Sequence, residues 1–440
     1  MKFMHCSDLH LGKRPVGASG EYAAKRHQDY FDAFEYLIRA GIDEKISAII
    51  LSGDIFDKKE LNPDVLYKAE TILNLPKSVN IPVVITDGNH DRISKGAEHD
   101  SWLYYLAAKG LLLVPKYERT AEGMNFTPVI IDDIAFYGLG YSGAFAKETI
   151  EWFISYLDNK TINNNGEVDN KKDDSSNNMG EVDNKKDDST NNMGEVDNKI
   201  QNVAIIHTGI IDNIKERDDS FITGTIDRET ADLFKGKVIY AAGGHLHSYR
   251  VYPKDKPYFF VPGSPEFWDI DEAGKSKGAI IFDTDSLEHK FIAAKNRKVH
   301  KIVIKNEFFA MDELLNNIKE EISEINIEQG EDILRIDLEI INSFVPDVNA
   351  IESEMANIGI LKTFVKFIGK RGVNNESSAY SSIEILESEI VETWEIFGKD
   401  AEKTIEYLSK FKTHTSEGNL DQLTEEFDAF MNEFIAGDIK

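Results

Sequence analysis

Five short polar clusters punctuate the chain: Asp8-Leu9-His10, Gly53-Asp54-Ile55-Phe56-Asp57, Gly88-Asn89-His90-Asp91, His207 and Gly244-His245-Leu246-His247. From them Asp8, His10, Asp54, Asn89, His207, His245 and His247 offer carboxylate, amide oxygen and imidazole without a thiolate, a donor set suited to manganese, iron or zinc. Seven donors exceed the needs of one ion. A pair of ions about 3.5 to 4 Å apart needs a bridging carboxylate, and Asp54, on the turn after an apolar run, is expected to present both oxygens. One ion would then take Asp8, His10, Asp54 and His247, and the other Asp54, Asn89, His207 and His245.

Two such ions make a bridging water acidic enough to yield hydroxide near neutral pH and hold phosphate oxygens for in-line displacement, so no covalent protein nucleophile is needed. His90, beside Asn89, is placed to hydrogen-bond the phosphate or protonate the leaving oxygen, with Asp57 to orient it. Taken singly, these motifs are weak: Asp-x-His is common, and Gly-Asn-His-Asp reads equally as a turn. The weight lies in five clusters arriving in order. His5, His27, His99, His289, His300 and His414 lie outside the clusters and are expected on the surface or as satisfied core residues.

Each cluster follows an apolar, strand-like run, and open α/β sheets gather their ligand loops beyond the carboxyl ends of such strands. Residues 1–158 alternate between strand runs such as Ser47 to Leu51 and Ile81 to Ile85 and helical patterns such as Tyr22 to Ala40. The alternation stops at a 14-residue repeat, GEVDNKKDDSSNNM from Gly166, repeated nearly unchanged from Gly180 and begun again at Gly194. One Val and one Met per copy cannot make a coiled-coil seam, and Asp174 stands where a calcium loop needs Gly. The polar stretch 159–200 therefore reads as a solvated, disordered insertion. Strand runs resume at Val203 to Ile206, Val238 to Ala242, Phe259 to Val261 and Ala279 to Phe282, so residues 1–298 form one interrupted α/β domain.

Beyond 298 the chain turns acidic and Ile-rich, with strand-like alternation over Ile333 to Ile341, and a second, smaller domain is expected. The last segment carries helix-spaced apolar residues, Ile390, Trp394, Phe397, Ala401, Ile405 and Leu408, and a second set from Leu420 to Phe434 beyond a break at Gly418. That pattern is a helical pair.

A chain of 440 residues has room for two or three domains. It has no apolar run of about 18 residues that would span a membrane, no pattern of a secretory signal, and one cysteine, Cys6, all of which fit a reducing cytoplasm. The net charge of −28 opposes a polyanionic partner at first sight. Residues 311–440 carry −18 of it, and the residues holding the clusters carry −6. Two divalent cations would offset much of the latter.

The clusters in this order resemble the calcineurin-like metallophosphoesterase superfamily. The opening His5-Cys6-Ser7-Asp8-Leu9-His10-Leu11-Gly12, Gly53-Asp54-Ile55-Phe56-Asp57 and Val261-Pro262-Gly263-Ser264-Pro265-Glu266 narrow it to repair nucleases of the Mre-eleven and SbcD type, over about residues 1–295 without the insertion. The resemblance implies a layered fold, a β-sandwich flanked by helices, with a small α+β capping domain at about 299–370 and C-terminal helices at about 383–436. It further implies two manganese ions per subunit, 3′ to 5′ double-strand exonuclease and single-strand endonuclease activity on DNA, a homodimer, and a Rad-fifty or SbcC type coiled-coil ATPase bound by those helices. Asp57 departs from the pattern, standing where archaeal and eukaryal members often carry His, and the repeat insertion has no family counterpart.

Lys13, Arg14, Arg92, Lys95 and Arg250 flank the clusters as candidate phosphate contacts. The competing readings are a metallophosphodiesterase or phosphatase acting on small nucleotides or phosphoproteins, and a non-catalytic scaffold, against which the complete ligand set counts.

Overall fold

The computed structural model describes residues 1–15, 20–91, 101–120, 123–162, 168–170, 200–211, 224–342 and 344–368, with scattered residues between 403 and 430. Most of the 159–200 insertion, Arg92, Lys95, His99, His414 and most of the 383–436 helical pair therefore lie outside the described residues. The chain divides into two compact units, Met1–Ile368 and Gly369–Lys440.

In the first unit, short apolar runs pair into two sheets. One has the order Glu288–Ala293, Gly278–Asp283, Lys2–Cys6, Ala48–Leu51, Val83–Ile85, the last three parallel and the first two antiparallel. The other runs Arg250–Tyr252, Phe259–Val261, Tyr240–Ala242, Gln201–Ile206, Ile134–Gly140, Val129–Ile131, with four parallel strands inside two antiparallel edges. Side chains alternate across a strand, so Phe3, Ile50, Val84, Phe136, Val203, Tyr240 and Phe282 meet between the sheets. Phe3 meets Phe136 edge-on at 5.8 Å and Tyr240 at 5.0 Å, knitting the sheets together.

The opposite faces are covered by helices. Helices α1 (Gly20–Asp43), α2 (Pro63–Ser78) and α3 (Trp102–Ala108) pack on Met4, Ile49, Leu51 and Ile85 of the first sheet. On the second sheet, Phe153 of α4 (Ala146–Asn159) and Ala231 of α5 (Arg228–Asp232) pack with Tyr137, Ala204 and Phe259. Buried side chains of this size contribute roughly 1.5 to 3 kcal/mol each, and their concentration in three stacked layers makes the strand ends a stiff platform.

Residues 299–368 form a parallel three-stranded sheet, Val299–Asn306, Ile333–Ile340 and Lys362–Phe367, crossed by α6 (Met311–Ile322) and α7 (Val348–Asn357). Ile302, Ile304, Leu314, Ile318, Leu338 and Met355 give it a core of its own. It nevertheless belongs to the same compact unit as residues 1–298. Among the described residues, no helix is long and apolar enough to cross a membrane.

Candidate metal centre

Strands Lys2–Cys6, Ala48–Leu51 and Val83–Ile85 point the same way in one sheet, and Gln201–Ile206 and Tyr240–Ala242 do so in the other. The five clusters leave their carboxyl ends. Beyond the strands the first two loops remain zipped by backbone bonds, Asp8 N to Gly53 O at 3.2 Å, His10 N to Asp54 O at 3.1 Å and Leu11 N to Ile55 O at 2.9 Å. This lattice holds Asp8, His10 and Asp54 at left-handed φ of 52°, 43° and 53°, and His245 stands at 70°. Such conformations cost non-glycine residues of order 1 to 3 kcal/mol each, and they persist where surrounding structure over-determines them, as at functional sites.

Two glycines make the crowding possible. A Cβ on Gly53 would lie 2.5 Å from His207 Nδ1, and one on Gly88 would lie 2.0 Å from Asp54 Oδ1. No side chain fits at either position.

His207 sets the electrostatics. Its Nδ1 donates to the Ser52 carbonyl at 2.8 Å, so its Nε2 faces Asn89 Oδ1 at 3.0 Å and Asp54 Oδ2 at 3.3 Å. An imidazole lone pair, a carboxylate oxygen and an amide oxygen are three acceptors aimed at one point, which calls for a cation among them, either a proton or a metal. Without metal, burial opposes protonation of His207, but the Asp54 carboxylate outweighs it and pushes the imidazole up to about 9. Burial likewise opposes the charge on Asp54, yet His207 and His10 hold its carboxyl far below the usual range. His245 Nδ1 lies 3.2 Å from the same Asn89 oxygen, and its backbone N donates to Asp8 Oδ1 at 3.1 Å.

The other half is built on His10 and His247, whose Nε2 atoms face each other at 3.2 Å. Among the described residues, Asp8 Oδ2 and His10 Nδ1 are buried without a hydrogen-bond partner. Donor atoms of Asp8, His10 and His247 all lie within 4.8 Å of one another, as do those of Asp8, Asp54 and His207. Unpartnered buried oxygen and imidazole nitrogen atoms beside converging acceptors fit divalent ions. All seven residues proposed as ligands from the sequence come to this one place.

Asp54 differs in detail from expectation. Its Oδ1 accepts the His90 backbone N–H at 2.8 Å, leaving Oδ2 alone to face His207 Nε2 at 3.3 Å and His10 Nε2 at 4.0 Å. One oxygen thus reaches both halves, where one oxygen for each was expected. Asp57 differs too. Its carbonyl, at 2.6 Å, accepts from His90 Nδ1, whereas its carboxylate lies 3.4 Å from Lys13 Nζ. Lys13 in turn sits 3.0 Å from the ring centre of Trp268 and is buried, Arg14 is exposed, and Arg250 donates to the Ile210 carbonyl.

Several supporting residues have roles that the sequence alone does not assign. Asp91 Oδ2 accepts from the backbone N–H of Asp54 and Gly88, fastening two ligand loops together. Burial, followed by the Asp54 charge, pushes the Asp91 carboxyl up to about 7. Ser52 Oγ accepts from His5 Nε2 and donates to the Gly243 carbonyl, and the Tyr240 hydroxyl satisfies His5 Nδ1, so His5 is a satisfied core residue that braces Ser52. Trp268 packs against His10 and His247 with ring centroids 4.6 and 5.1 Å away. Glu272 Oε1 stands 3.5 Å from His247 Nδ1.

Carboxylate, amide and imidazole donors raised on the strand ends of a helix-flanked sandwich define a metallophosphoesterase. The family model described as calcineurin-like phosphoesterase matches residues 1–249, and the chain belongs to that family. Among its relatives is the DNA double-strand break repair protein Mre11 of Methanosarcina acetivorans, 29% identical over 139 residues, which are 32% of this chain and 20% of that protein. The protein of that name from Sulfolobus acidocaldarius is 25% identical over 353 residues, 77% of this chain and 75% of the relative. The match to the Halobacterium salinarum protein of the same name covers 32% of each, so this chain spans a third or less of the first relatives' length in two of these three comparisons. A solved dimetal phosphatase from Danio rerio is similar over 64% of this chain and 91% of its own, with 11% identity and a TM-score of 0.32.

Proposed function

We propose that this chain is a DNA double-strand-break repair nuclease that hydrolyses phosphodiester bonds with two manganese ions per subunit. Asp8, His10, Asp54, Asn89, His207, His245 and His247 are its metal ligands in this reading. The observation that carries it is the meeting of His207 Nε2, Asn89 Oδ1 and Asp54 Oδ2, three ligand-type atoms that only a cation between them, proton or metal, reconciles. The choice of DNA is supported by relatives whose names describe double-strand break repair, one of them similar over 77% of this chain.

Bound divalent ions supply an acidified water and neutralise phosphate oxygens. The chain's own part is positional. Ser52 and Asn89 fix His207 so that its Nε2 faces inward, and the Asp57 carbonyl holds the Nδ1–H of His90, so that in the doubly protonated ring Nε2–H would donate to the phosphate or pass its proton to the leaving oxygen. The reading extends to 3′ to 5′ double-strand exonuclease and single-strand endonuclease action by a homodimer. Residues 299–370 would cap the DNA, and 383–436 would bind a Rad-fifty or SbcC type ATPase in the cytoplasm.

The test is a comparison of substrates with purified full-length chain and manganese. End-labelled linear duplex DNA should shorten, and a chelator should stop it. Hydrolysis of a nitrophenyl phosphodiester with the duplex untouched would instead favour a small-nucleotide or phosphoprotein substrate. Deleting residues 383–440 should abolish co-purification with the ATPase and spare manganese-dependent cleavage, and surviving co-purification would overturn that assignment.

A further inference from the structure

The short turn Ile270–Glu272 touches both the metal centre and the three-stranded sheet. Glu272 Oε1 faces His247 Nδ1 at 3.5 Å, while its Oε2 accepts from Lys277 Nζ at 2.6 Å and from the Trp268 backbone N–H at 3.1 Å. Lys277 is buried, and its ammonium also donates to the His247 carbonyl at 2.8 Å and to Ser264 Oγ at 2.9 Å. One ion pair thus faces the His247 ring with its carboxylate and holds the His247 backbone carbonyl with its ammonium. The preceding residue, Asp271, is exposed and meets strands Ile333–Ile340 and Lys362–Phe367 of the three-stranded sheet. It accepts from Arg335 Nη1 at 2.5 Å and from Lys366 Nζ at 3.0 and 3.1 Å, and Arg335 is itself fixed by Asp337 at 2.7 Å.

We propose that Glu272 is a positioning residue for His247, and that Asp271, through Arg335 and Lys366, lets the seating of the three-stranded sheet set metal affinity at the half of the site containing His10 and His247. The proposal rests on His247 being a metal ligand. A carboxylate on the distal nitrogen of a ligating imidazole fixes its tautomer and ring orientation, and losing it typically weakens metal binding 10- to 100-fold. An isolated exposed ion pair does little, but here two cations share one carboxylate on the residue next to Glu272, so the remote effect is smaller in size and falls on the same half.

Manganese titration of the full chain, with free ion followed by electron paramagnetic resonance and folding checked by melting in chelator, tests this. The native chain should bind two ions. Glu272→Gln should weaken one of them about 10- to 100-fold and leave the other unchanged, a selectivity that general destabilisation would not produce. Arg335→Gln with Lys366→Gln, which leaves Glu272 and every ligand in place, should weaken that same ion by roughly 2- to 30-fold, and it carries the test if Glu272→Gln does not fold. Native affinity for both ions in the folded Glu272→Gln chain overturns the positioning role, and native affinity in the double variant overturns the link to the sheet. A native chain that binds no pair of ions overturns the metal reading itself.

Discussion

His207 Nε2 lies 3.3 Å from Asp54 Oδ2, with the imidazole turned to face it by the bond from Nδ1 to the Ser52 carbonyl. In metal-free protein Asp54 overcomes the effect of burial and raises His207 to about 9, so a proton occupies this contact at neutral pH. A divalent ion must expel it, and affinity should rise with pH, up to tenfold per unit below about pH 9. Calorimetry at pH 7 in buffers of different ionisation heat is expected to register close to one proton released from this histidine. No release would contradict the arrangement. The same raised value stabilises the metal-free fold fully below about 6.5, and that contribution is lost as pH climbs through about 9.

His90 and Asp57 should separate by experiment. His90→Ala is expected to slow cleavage by ~10²- to 10⁴-fold with both ions still bound. Asp57→Asn keeps the carbonyl that holds His90, and removes instead the carboxylate beside buried Lys13. Its expected cost is stability, on the order of 3 kcal/mol as a lowered urea midpoint, with the cleavage rate kept within about tenfold. A rate as low as that of His90→Ala would mean that the Asp57 carboxylate takes part in the chemistry.

Gly88→Ala places a methyl 2.0 Å from Asp54 Oδ1. Neither group has room to yield, because Asp54 is buried and its backbone N–H is tied to Asp91. A displacement of about 1 Å in a catalytic constellation costs on the order of 100-fold in rate. That loss, together with weaker manganese binding in titration, is the expected outcome. Unchanged binding would show that Asp54 does not hold the ions.

His5 offers a pH effect outside the ligand set. Burial pushes its imidazole down to about 3, against some support from Gly243, so between about 6.5 and 3 only the unfolded chain takes up its proton. Its contribution to stability is whole above 6.5 and falls on acidification by up to about 1.4 kcal/mol per pH unit. Urea unfolding in chelator should show a shallower acid slope for His5→Gln than for the native chain. Equal slopes would contradict a neutral His5.

Much of the site could be read from the sequence because its donors are chemically distinctive and end apolar runs. Asp8, Asn89, His207 and His245 stand out for that reason, and parallel strands bring their loops to one edge. How atoms are shared within the site could not be read. Asp54 gives Oδ1 to the His90 amide, and Asp57 turns its carbonyl to His90, because loops more than 30 residues apart in sequence lie against each other. Glu272, Lys277 and Trp268 belong to no motif. Their contacts with His247 exist only once Gly278–Asp283 folds back beside Lys2–Cys6. The division of strands between two sheets was equally hidden, since runs buried on both faces, such as Ala48–Leu51, lose the alternation that marks a face.

Anomalous diffraction from crystals of the full chain grown with manganese tests the metal centre most directly. The expected result is two manganese peaks about 3.5 to 4 Å apart, one on each side of Asp54 Oδ2, with His207 and His247 on different ions. A single peak, or a pair out of reach of Asp54, would contradict it.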